Sequence, residues 1–171
     1  MTATARKRRA AGAADNQVRN DHVLAVNRRA LHDYTIGERY EAGIALQGTE
    51  IKSIRAGGAN IGQGFVRLAN GEAWLEGVHI APYEQGSYLN HDPTRPRRLL
   101  LHRSELRELA VQTRSAGFTI ILLRLYLKRG RAKVQIGVAR GKRQYEKREA
   151  IAAREAQREI GRAIRAGSGR R

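Results

Sequence analysis

The adjacent residues His91 and Asp92 are the first place in this sequence to look for acid–base chemistry. An imidazole and a carboxylate can exchange a proton, and a nuclease could use such a pair. The pair stands directly before Pro93, however, which is typical of a turn. The sequence supplies no second carboxylate to converge on a metal ion and no nucleophile beside a base. We therefore predict a protein that is not an enzyme and that uses no cofactor and no metal.

The remaining chemistry is that of cations. The 171 residues include 33 Lys and Arg against 16 Asp and Glu, a formal net charge of +17. Such a surface favours nucleic acid as the partner. An anionic membrane is the main competitor, but the sequence has no long apolar run and no strongly amphipathic stretch. There is no cysteine and no apolar N-terminal stretch long enough for a signal peptide. We expect a cytoplasmic protein without a membrane partner.

The stretch from Tyr40 to Ile61 predicts a strand and a short helix, the central elements that must position these cations. Apolar and polar residues alternate from Tyr40 to Gln47, which predicts a strand with one face on the core. Gly48 breaks the strand, and Thr49 is expected to cap a short helix that ends at Gly57. The helix is expected to present three charged side chains beside a buried stripe. They are Glu50, Lys52 and Arg55.

The rest of the central region predicts further strands. Two alternating runs flank Asn70-Gly71, the strongest short signal of a hairpin, and Trp74 in the second run is expected in the core. Residues 81–98 hold all three prolines and predict a long loop with a basic end, which includes Arg95, Arg97 and Arg98.

After this loop, residues 99–101 predict a short buried strand. Ser104 is expected to cap a helix that runs to about Ala116, with two apolar strands following over 119–128 and 133–139. About six strands, two helices and no βαβ repeat indicate a mainly β fold, a small antiparallel barrel.

Composition divides the chain into three parts: a basic arm over residues 1–26, a barrel domain over 27–139 and a basic tail over 140–171. Arg28, Arg29 and His32 lie close together before Tyr34, where the arm joins the barrel. The rings of His32 and Tyr34 can stack on unpaired bases. The tail has a net charge of +7, from 11 Lys and Arg less 4 Glu. It is either a solvated extension or a segment that folds as a helix on RNA.

Four segments, read together, carry a resemblance to a known family. They are NRRALHDY, YEAGIALQGTEIKSIRAGGANI, DPTRPRRLLLH and GVARGKRQYEKREAI, and the resemblance extends over about Asn27 to Arg158. In this order they resemble the SsrA-binding protein (SmpB) family of bacteria. The resemblance implies an OB-fold-like barrel with added helices and a tail that is helical when bound.

The resemblance also implies a function. Members of the family are non-catalytic adaptors that bind the tRNA-like domain of transfer-messenger RNA (tmRNA) and deliver it to stalled ribosomes for trans-translation. The implied partners are tmRNA, the ribosome with its small-subunit rRNA and empty mRNA channel, and, through tmRNA, elongation factor Tu and alanyl-tRNA synthetase. We expect a monomer.

The family's RNA-binding positions fall on particular residues of this sequence. Those implied for tmRNA are Glu41, Leu100, Lys133 and His32, to which we add the nearby cations Arg28, Arg29, Lys52 and Arg55. Those expected near the decoding centre are Gly141, Lys142, Arg143, Tyr145, Glu146, Lys147, Arg148, Ile160 and Ile164. The chain departs from the family pattern at Glu146, where Asp is usual, and at Arg143 and Gly58, where Lys is common.

Two alternatives stay open at this stage. A structural ribosomal protein that binds rRNA through a basic extension would share the charge, the barrel and the tail. At the residue level, Glu41 could accept hydrogen bonds from base edges or 2′-hydroxyl groups, or it could form an ion pair with a neighbouring Lys or Arg. The exposure of Leu100 is equally open, since a leucine in this setting is otherwise a core residue.

Overall fold

The computed structural model describes residues 22–142, apart from the side chains of residues 87–89. Within that part the chain forms nine strands, three α-helices and one 3-10 helix. The strands are β1 (His22–Val26), β2 (Tyr34–Ile44), β3 (Ala59–Asn60), β4 (Phe65–Ala69), β5 (Glu72–Glu76), β6 (His79–Ile80), β7 (Arg97–Leu100), β8 (Phe118–Lys128) and β9 (Arg131–Gly141). The helices are α1 (Arg28–Asp33), α2 (Gly48–Arg55), α3 (Arg103–Thr113) and the 3-10 helix Glu84–Leu89.

Six of the strands close into a barrel. The main sheet has the order β1-β8-β4-β5-β7-β2-β9, and β8 also pairs with β9, so the sheet returns on itself. Every pairing is antiparallel. Strand β4 pairs with the first half of β8, and β1 pairs with its second half. The predicted mainly β, OB-like antiparallel barrel is confirmed. Closure also removes the unpaired edges that an open sheet would expose.

Two tight hairpins each connect consecutive strands of this ring. Asn70 and Gly71, with φ of 51° and 75°, connect β4 to β5, as the Asn-Gly signal predicted. Arg129 and Gly130, with φ of 50° and 75°, connect β8 to β9. Both central residues of each turn are in the left-handed region, where the twist of a two-residue turn matches that of the strands.

The core fills the barrel and extends to α3. Ala42, Ile80, Leu122 and Ile136 are fully buried inside it, and Leu109 of α3 closes one end. A second, smaller cluster lies outside the barrel wall. There Ala30 of α1 packs on β8 and β9, against Ile121, Leu123 and Ala139. The first helix therefore covers one stretch of the outer surface.

Both predicted helix caps are wrong by two residues. The N-cap of α2 is Gln47 and that of α3 is His102, rather than Thr49 and Ser104. In each case a glutamate three residues later accepts a hydrogen bond from the cap's own backbone N–H. The distances are 2.6 Å from Gln47 N to Glu50 Oε2 and 2.9 Å from His102 N to Glu105 Oε2.

Several side chains also occupy other environments than predicted. Trp74 is half-buried on the outer face, because Ala73 and Leu75 take the core face of β5. Within β7, Leu99 is buried whereas Leu100 is exposed, so the predicted buried strand has one face in solvent. Two charged residues, Glu50 and Arg97, are fully buried, although Glu50 was expected on an exposed face and Arg97 in a basic loop.

The sheet extends beyond the predicted barrel domain at both ends. It begins at His22, in the predicted arm, and β9 continues to Gly141. The predictions for the arm before residue 22 and for the tail after residue 142 lie outside the described residues. Among residues 22–142 no helix is long and apolar enough to cross a membrane.

Candidate nucleic-acid interface

Three strands place Leu100, Gly43 and Lys133 in one row across the outside of the barrel. Gly43 of β2 pairs with Leu100 of β7 on one side and with Lys133 of β9 on the other. Paired residues in an antiparallel ladder point to the same face. Leu100 is 53% exposed there, while its neighbour Leu99 points into the core. The row therefore presents an apolar group and a cation side by side.

Gly43 is what lets the Leu100 side chain lie across β2. A Cβ atom on Gly43 would stand 3.1 Å from Leu100 Cβ and 3.3 Å from its Cδ1. That is closer than ordinary van der Waals contact, so a side chain at this position would require Leu100 to shift by a few tenths of an ångström.

Glu41 lies on the same face of β2, two residues before Gly43, and joins three donors. Its Oε2 accepts hydrogen bonds from Tyr126 Oη at 2.7 Å and from Lys128 Nζ at 2.9 Å. Its Oε1 forms an ion pair with Lys133 Nζ at 3.4 Å. Tyr126 is fully buried, whereas the side chains of Glu41 and both lysines remain about one-third exposed. The carboxylate thus holds the ammonium groups of Lys128 and Lys133 close together, and both groups remain accessible to solvent.

The surroundings of Glu41 determine its charge. Partial burial acts to raise the pKa of this carboxyl, but hydrogen bonds from Lys128 and Tyr126 and the charges of Lys128 and Lys133 outweigh it, so that the pKa is lowered. Glu41 is consequently ionised at neutral pH and holds two like charges close together. Each ammonium group has three hydrogens and only part of them face Glu41, which leaves donors for phosphate oxygens.

An open cavity of about 440 Å³ adjoins this row. Leu100, Leu46 and Ile51 contribute apolar surface, and Lys133 and Arg131 stand at its rim. Arg55, the last residue of α2, reaches the same place, because its Nη2 donates to the Gly130 carbonyl at 3.2 Å. Lys52 lies one turn earlier on α2, with its Nζ 5.5 Å from the centre of the Tyr83 ring. Four of the predicted tmRNA-binding residues therefore share one region, Glu41, Leu100, Lys133 and Arg55, and a fifth, Lys52, lies on the adjoining helix α2.

The other three lie elsewhere, on or beside α1. Arg29 and His32 both contact the carboxylate of Asp33, at 3.3 and 2.9 Å, and Arg28 is exposed on the same helix. The preceding residue Asn27 caps α1 and ties it to the barrel wall through the carbonyls of Ile61 and Leu122. Strand β2 separates the two groups: at about 3.3 Å per residue, Glu41 stands roughly 20 Å from Tyr34, where α1 ends.

The start of the predicted decoding-centre segment is attached to α1. Gly141 pairs with Tyr34, and Lys142 donates its backbone N–H to Asp33 O at 3.0 Å and its Nζ to Leu31 O at 3.2 Å. A cation at the C-terminal end of a helix satisfies free carbonyls and the helix dipole. The remaining predicted tail residues, from Arg143 to Ile164, lie outside the described residues.

The adjacent pair His91 and Asp92 forms no acid–base couple. The His91 ring is buried between Ile80 O, 3.1 Å from Nε2, and Thr49 Oγ1, 3.0 Å from Nδ1. Asp92 instead accepts hydrogen bonds from the backbone N–H and hydroxyl of Thr94, as expected for a turn. Over residues 22–142 no cluster of three or more His, Asp or Glu could hold a metal ion.

A cluster of ion pairs around the buried Glu50 carboxylate joins two elements of the candidate interface, α2 and β7. The Glu50 carboxylate accepts hydrogen bonds from Arg97 Nε at 2.7 Å and from both Nε and Nη2 of Arg95. Arg97 also donates to the carbonyls of Val78 and Pro93, at 3.0 Å each. These bonds fix β7, and with it Leu100, to α2. Burial acts to raise the pKa of Glu50, but the bonds from Arg95, Gln47 and Arg97 lower it overall.

Sequence reasoning missed Lys128 and Tyr126 as members of the Glu41 network. Their signal was present, since both stand in the alternating second half of β8, where Tyr126 pairs with Lys133 across the hairpin and Lys128 pairs with Arg131. Cross-strand neighbours of a predicted site residue belong to the same face. What the sequence could not supply is the register that brings β2 and β8 to either side of β9.

Comparison with known proteins shows which family the chain resembles. The family model described as "SmpB protein" matches residues 24–166. The "SsrA-binding protein" of Roseiflexus castenholzii is 61% identical over 146 residues, which is 85% of this chain and 92% of the relative. That of Bacillus cytotoxicus is 54% identical over 143 residues, 84% of this chain and 92% of the relative. A solved chain described as "tmRNA-SmpB: a journey to the center of the bacterial ribosome" aligns with a TM-score of 0.61 and 52% identity, over 74% of this chain and 93% of its own length.

Proposed function

The chain belongs to the SsrA-binding protein (SmpB) family, and we propose from this membership and from its surface that it is a tmRNA-binding factor of trans-translation. In this role it is a non-catalytic adaptor in the cytoplasm. It binds the tRNA-like domain of tmRNA and brings it to a stalled ribosome, where translation resumes on the tmRNA reading frame. The similar solved chain, described with tmRNA and the bacterial ribosome, supports both partners.

One observation carries the assignment of the tmRNA-binding face. Leu100, Gly43 and Lys133 stand in one row beside the Glu41 carboxylate, although they come from three strands far apart in the sequence. A cation for phosphate next to an exposed apolar group for a sugar or base is the combination that RNA binding requires. Lys52 and Arg55 of α2 extend the positive surface on one side of this row.

The second part of the proposal concerns the other end of the molecule. We assign Arg28, Arg29 and His32, with the tail from Gly141 onward, to the ribosome rather than to the tRNA-like domain. Support comes from the attachment of Lys142 to the end of α1, which starts the tail next to these residues. The tail, with its net charge of +7 from 11 cations and 4 glutamates, suits the RNA-walled mRNA channel. Elongation factor Tu and alanyl-tRNA synthetase join through tmRNA.

Two variants separate these roles in a reconstituted tagging reaction. Lys133→Ala should weaken binding to tmRNA and lower tagging in proportion. The double variant Lys147→Ala with Arg148→Ala should keep tmRNA binding within about twofold and still abolish tagging, since only the tail is altered. Arg107→Ala, on α3, is the control that removes one exposed cation outside the proposed face.

Equal loss of binding and tagging in the tail variant would contradict this division. Stoichiometric cosedimentation with unstalled ribosomes in the absence of tmRNA would instead favour a structural rRNA-binding protein.

A further inference from the structure

We propose that the outer side of α3 is a docking surface for one phosphate strand of a ribosomal RNA duplex. We call this surface the α3 stripe, and its residues are Arg103, Arg107, Val111 and Arg114. The inference rests on the proposed function, because it gives the ribosome a contact on the body of the protein in addition to the tail. The stripe strengthens binding to the ribosome, whereas binding to tmRNA does not depend on it.

The four residues lie along one side of the helix. With 3.6 residues per turn, positions 103, 107, 111 and 114 fall within an arc of about 80°, and they extend over about 16 Å of helix. All four are exposed, and Val111, at 63%, is the most exposed large apolar residue among those described. The stripe is therefore a line of three cations with one apolar group between the last two.

The fold turns the acidic side chains of α3 away from this side. Glu105 accepts a hydrogen bond from the backbone N–H of the helix cap at 2.9 Å, and Glu108 accepts one from the Tyr40 hydroxyl at 3.3 Å. The three arginines of the stripe form no ion pair with any other residue in the described range 22–142. A helix whose sequence holds two Arg and two Glu thus presents only positive charge to solvent.

Three unpaired cations in a line fit a strand of phosphates better than a protein surface. A protein interface needs a core of apolar or aromatic groups, and Val111 is the one apolar member of the stripe. A single RNA strand needs rings on which its bases stack, and the stripe has none. A duplex is bound through its backbone instead, and at about one phosphate per 3 Å along each strand the stripe spans about five phosphates.

The course of α3 across the molecule favours the ribosome as the source of this duplex. The helix begins shortly after Leu100 and lies along β2, where Gln112 Nε2 donates to Tyr40 Oη at 3.3 Å. Shortly after the helix ends, Phe118 pairs with Arg140, directly before the tail. The stripe therefore leads from the cavity face toward the start of the tail. A duplex that follows it in this direction belongs to the RNA that surrounds the tail.

The first test removes the charge of the stripe. Arg103→Gln, Arg107→Gln and Arg114→Gln are combined in the full-length protein, and Kd of its complex with tmRNA for stalled ribosomes is measured across a salt series. We expect Kd to rise about tenfold or more and the slope of log K against log salt to become less steep by about 2 to 3, as for three lost phosphate contacts. Thermal unfolding and the affinity for tmRNA alone should not change, because the three side chains are exposed.

Replacement of the same three arginines by lysine is the matched control. These substitutions keep the charge and the length of the side chains close to those of the original residues, so most of the ribosome affinity should remain. Unchanged ribosome affinity in the glutamine variant would overturn the proposal. So would a loss of affinity for tmRNA alone, because the duplex would then belong to tmRNA.

A photo-crosslinker in the stripe identifies the partner directly. Val111→p-benzoylphenylalanine places the reactive ketone between Arg107 and Arg114, at a position where the original side chain is exposed. On stalled ribosomes we expect crosslinks to ribosomal RNA, and we expect them to disappear in the glutamine variant. Crosslinks to a ribosomal protein or to tmRNA, without any to ribosomal RNA, would contradict the proposal.

The outcome for the unmodified protein separates this inference from the proposed function. If the stripe proves dispensable while the unmodified complex still binds stalled ribosomes, the proposed function stands and this inference fails. If the unmodified complex does not bind stalled ribosomes, the proposed function fails and the inference fails with it. Arg107→Ala remains a control for tmRNA binding in either case, because the stripe lies outside the cavity face.

Discussion

At the scale of single residues, the arrangement around Glu41 favours one of the two roles that the sequence left open. A carboxylate has about four acceptor positions, and three of those of Glu41 face donors of the protein: Tyr126, Lys128 and Lys133. Its negative charge would also repel phosphates. We therefore interpret Glu41 as the residue that positions Lys128 and Lys133, and these two lysines as the groups that contact the RNA.

This interpretation makes a prediction with an unusual sign. Glu41→Gln removes a negative charge from an RNA-binding face, so electrostatics alone predicts tighter binding. We expect weaker binding, because the two lysines lose the anion that orients them. Lys128→Ala should lower the steepness of the dependence of log K on log salt by about 1, as expected for one lost phosphate contact.

A double-mutant cycle checks the mechanism behind that sign. In a protein that already carries Lys128→Ala and Lys133→Ala, the Glu41→Gln change should have no further weakening effect, since no lysine is left to position. Fluorescence anisotropy with the tRNA-like domain gives all four affinities. Full and independent loss from Glu41→Gln in that background would mean that Glu41 contacts the RNA itself.

At the scale of elements, the connection between β7 and α2 is what sets the interface. Glu50 and Arg97 are fully buried, and their ion pair joins the helix to the strand that carries Leu100. The His91 ring, in the loop before β7, forms hydrogen bonds with Thr49 of α2 and with the Ile80 carbonyl, and so attaches this loop to α2. Removing one member of a buried ion pair leaves the other charge unpaired away from water, which costs more than the loss of an exposed pair.

We predict that Glu50→Gln lowers the free energy of unfolding by about 3 to 5 kcal/mol at neutral pH. Glu72→Gln is the control, because Glu72 pairs with Arg98 at 3.1 Å on the surface, and its loss should cost about 1 kcal/mol or less. Urea unfolding followed by circular dichroism measures both.

The pH dependence of the Glu50 effect has a defined direction. The folded-state pKa of Glu50 is lowered from 4.5, so its ionised form is favoured by folding. The stabilisation is complete above about pH 5 and is lost as the pH falls through the folded pKa. The difference between the unmodified protein and Glu50→Gln should therefore be constant from pH 7 to about 5 and shrink in more acidic solution. A difference that holds constant to the onset of acid unfolding would contradict the assigned role.

The elements that sequence could predict are those defined by local pattern. Alternation marked β2, β8 and β9, and Asn70-Gly71 marked the hairpin, because period-two burial and positive φ are local properties. The caps at Gln47 and His102, the outward face of Trp74 and the exposure of Leu100 depend on how strands pair. The burial of Glu50 and Arg97 was equally out of reach, since each is tolerated only beside its distant partner.

At the scale of the whole molecule, the barrel separates two groups of basic residues. The cavity face, with Glu41, Leu100 and Lys133, lies toward one end of β2, and α1 with the start of the tail lies at the other end. A chain with two such surfaces can bind one RNA while its other end contacts a second. This separation supports our proposal that the binding and tagging functions can be lost independently.

We propose that the cavity face recognises a particular RNA and does not merely attract phosphates. The measurement that tests it most directly is the affinity of the purified protein for tmRNA and for an ordinary tRNA of similar size, across a salt series. Electrostatic attraction alone gives similar affinities that fall together as salt rises. We predict that tmRNA keeps a clear preference at high salt. Superimposed curves for the two RNAs would contradict the account and favour a general rRNA-binding protein.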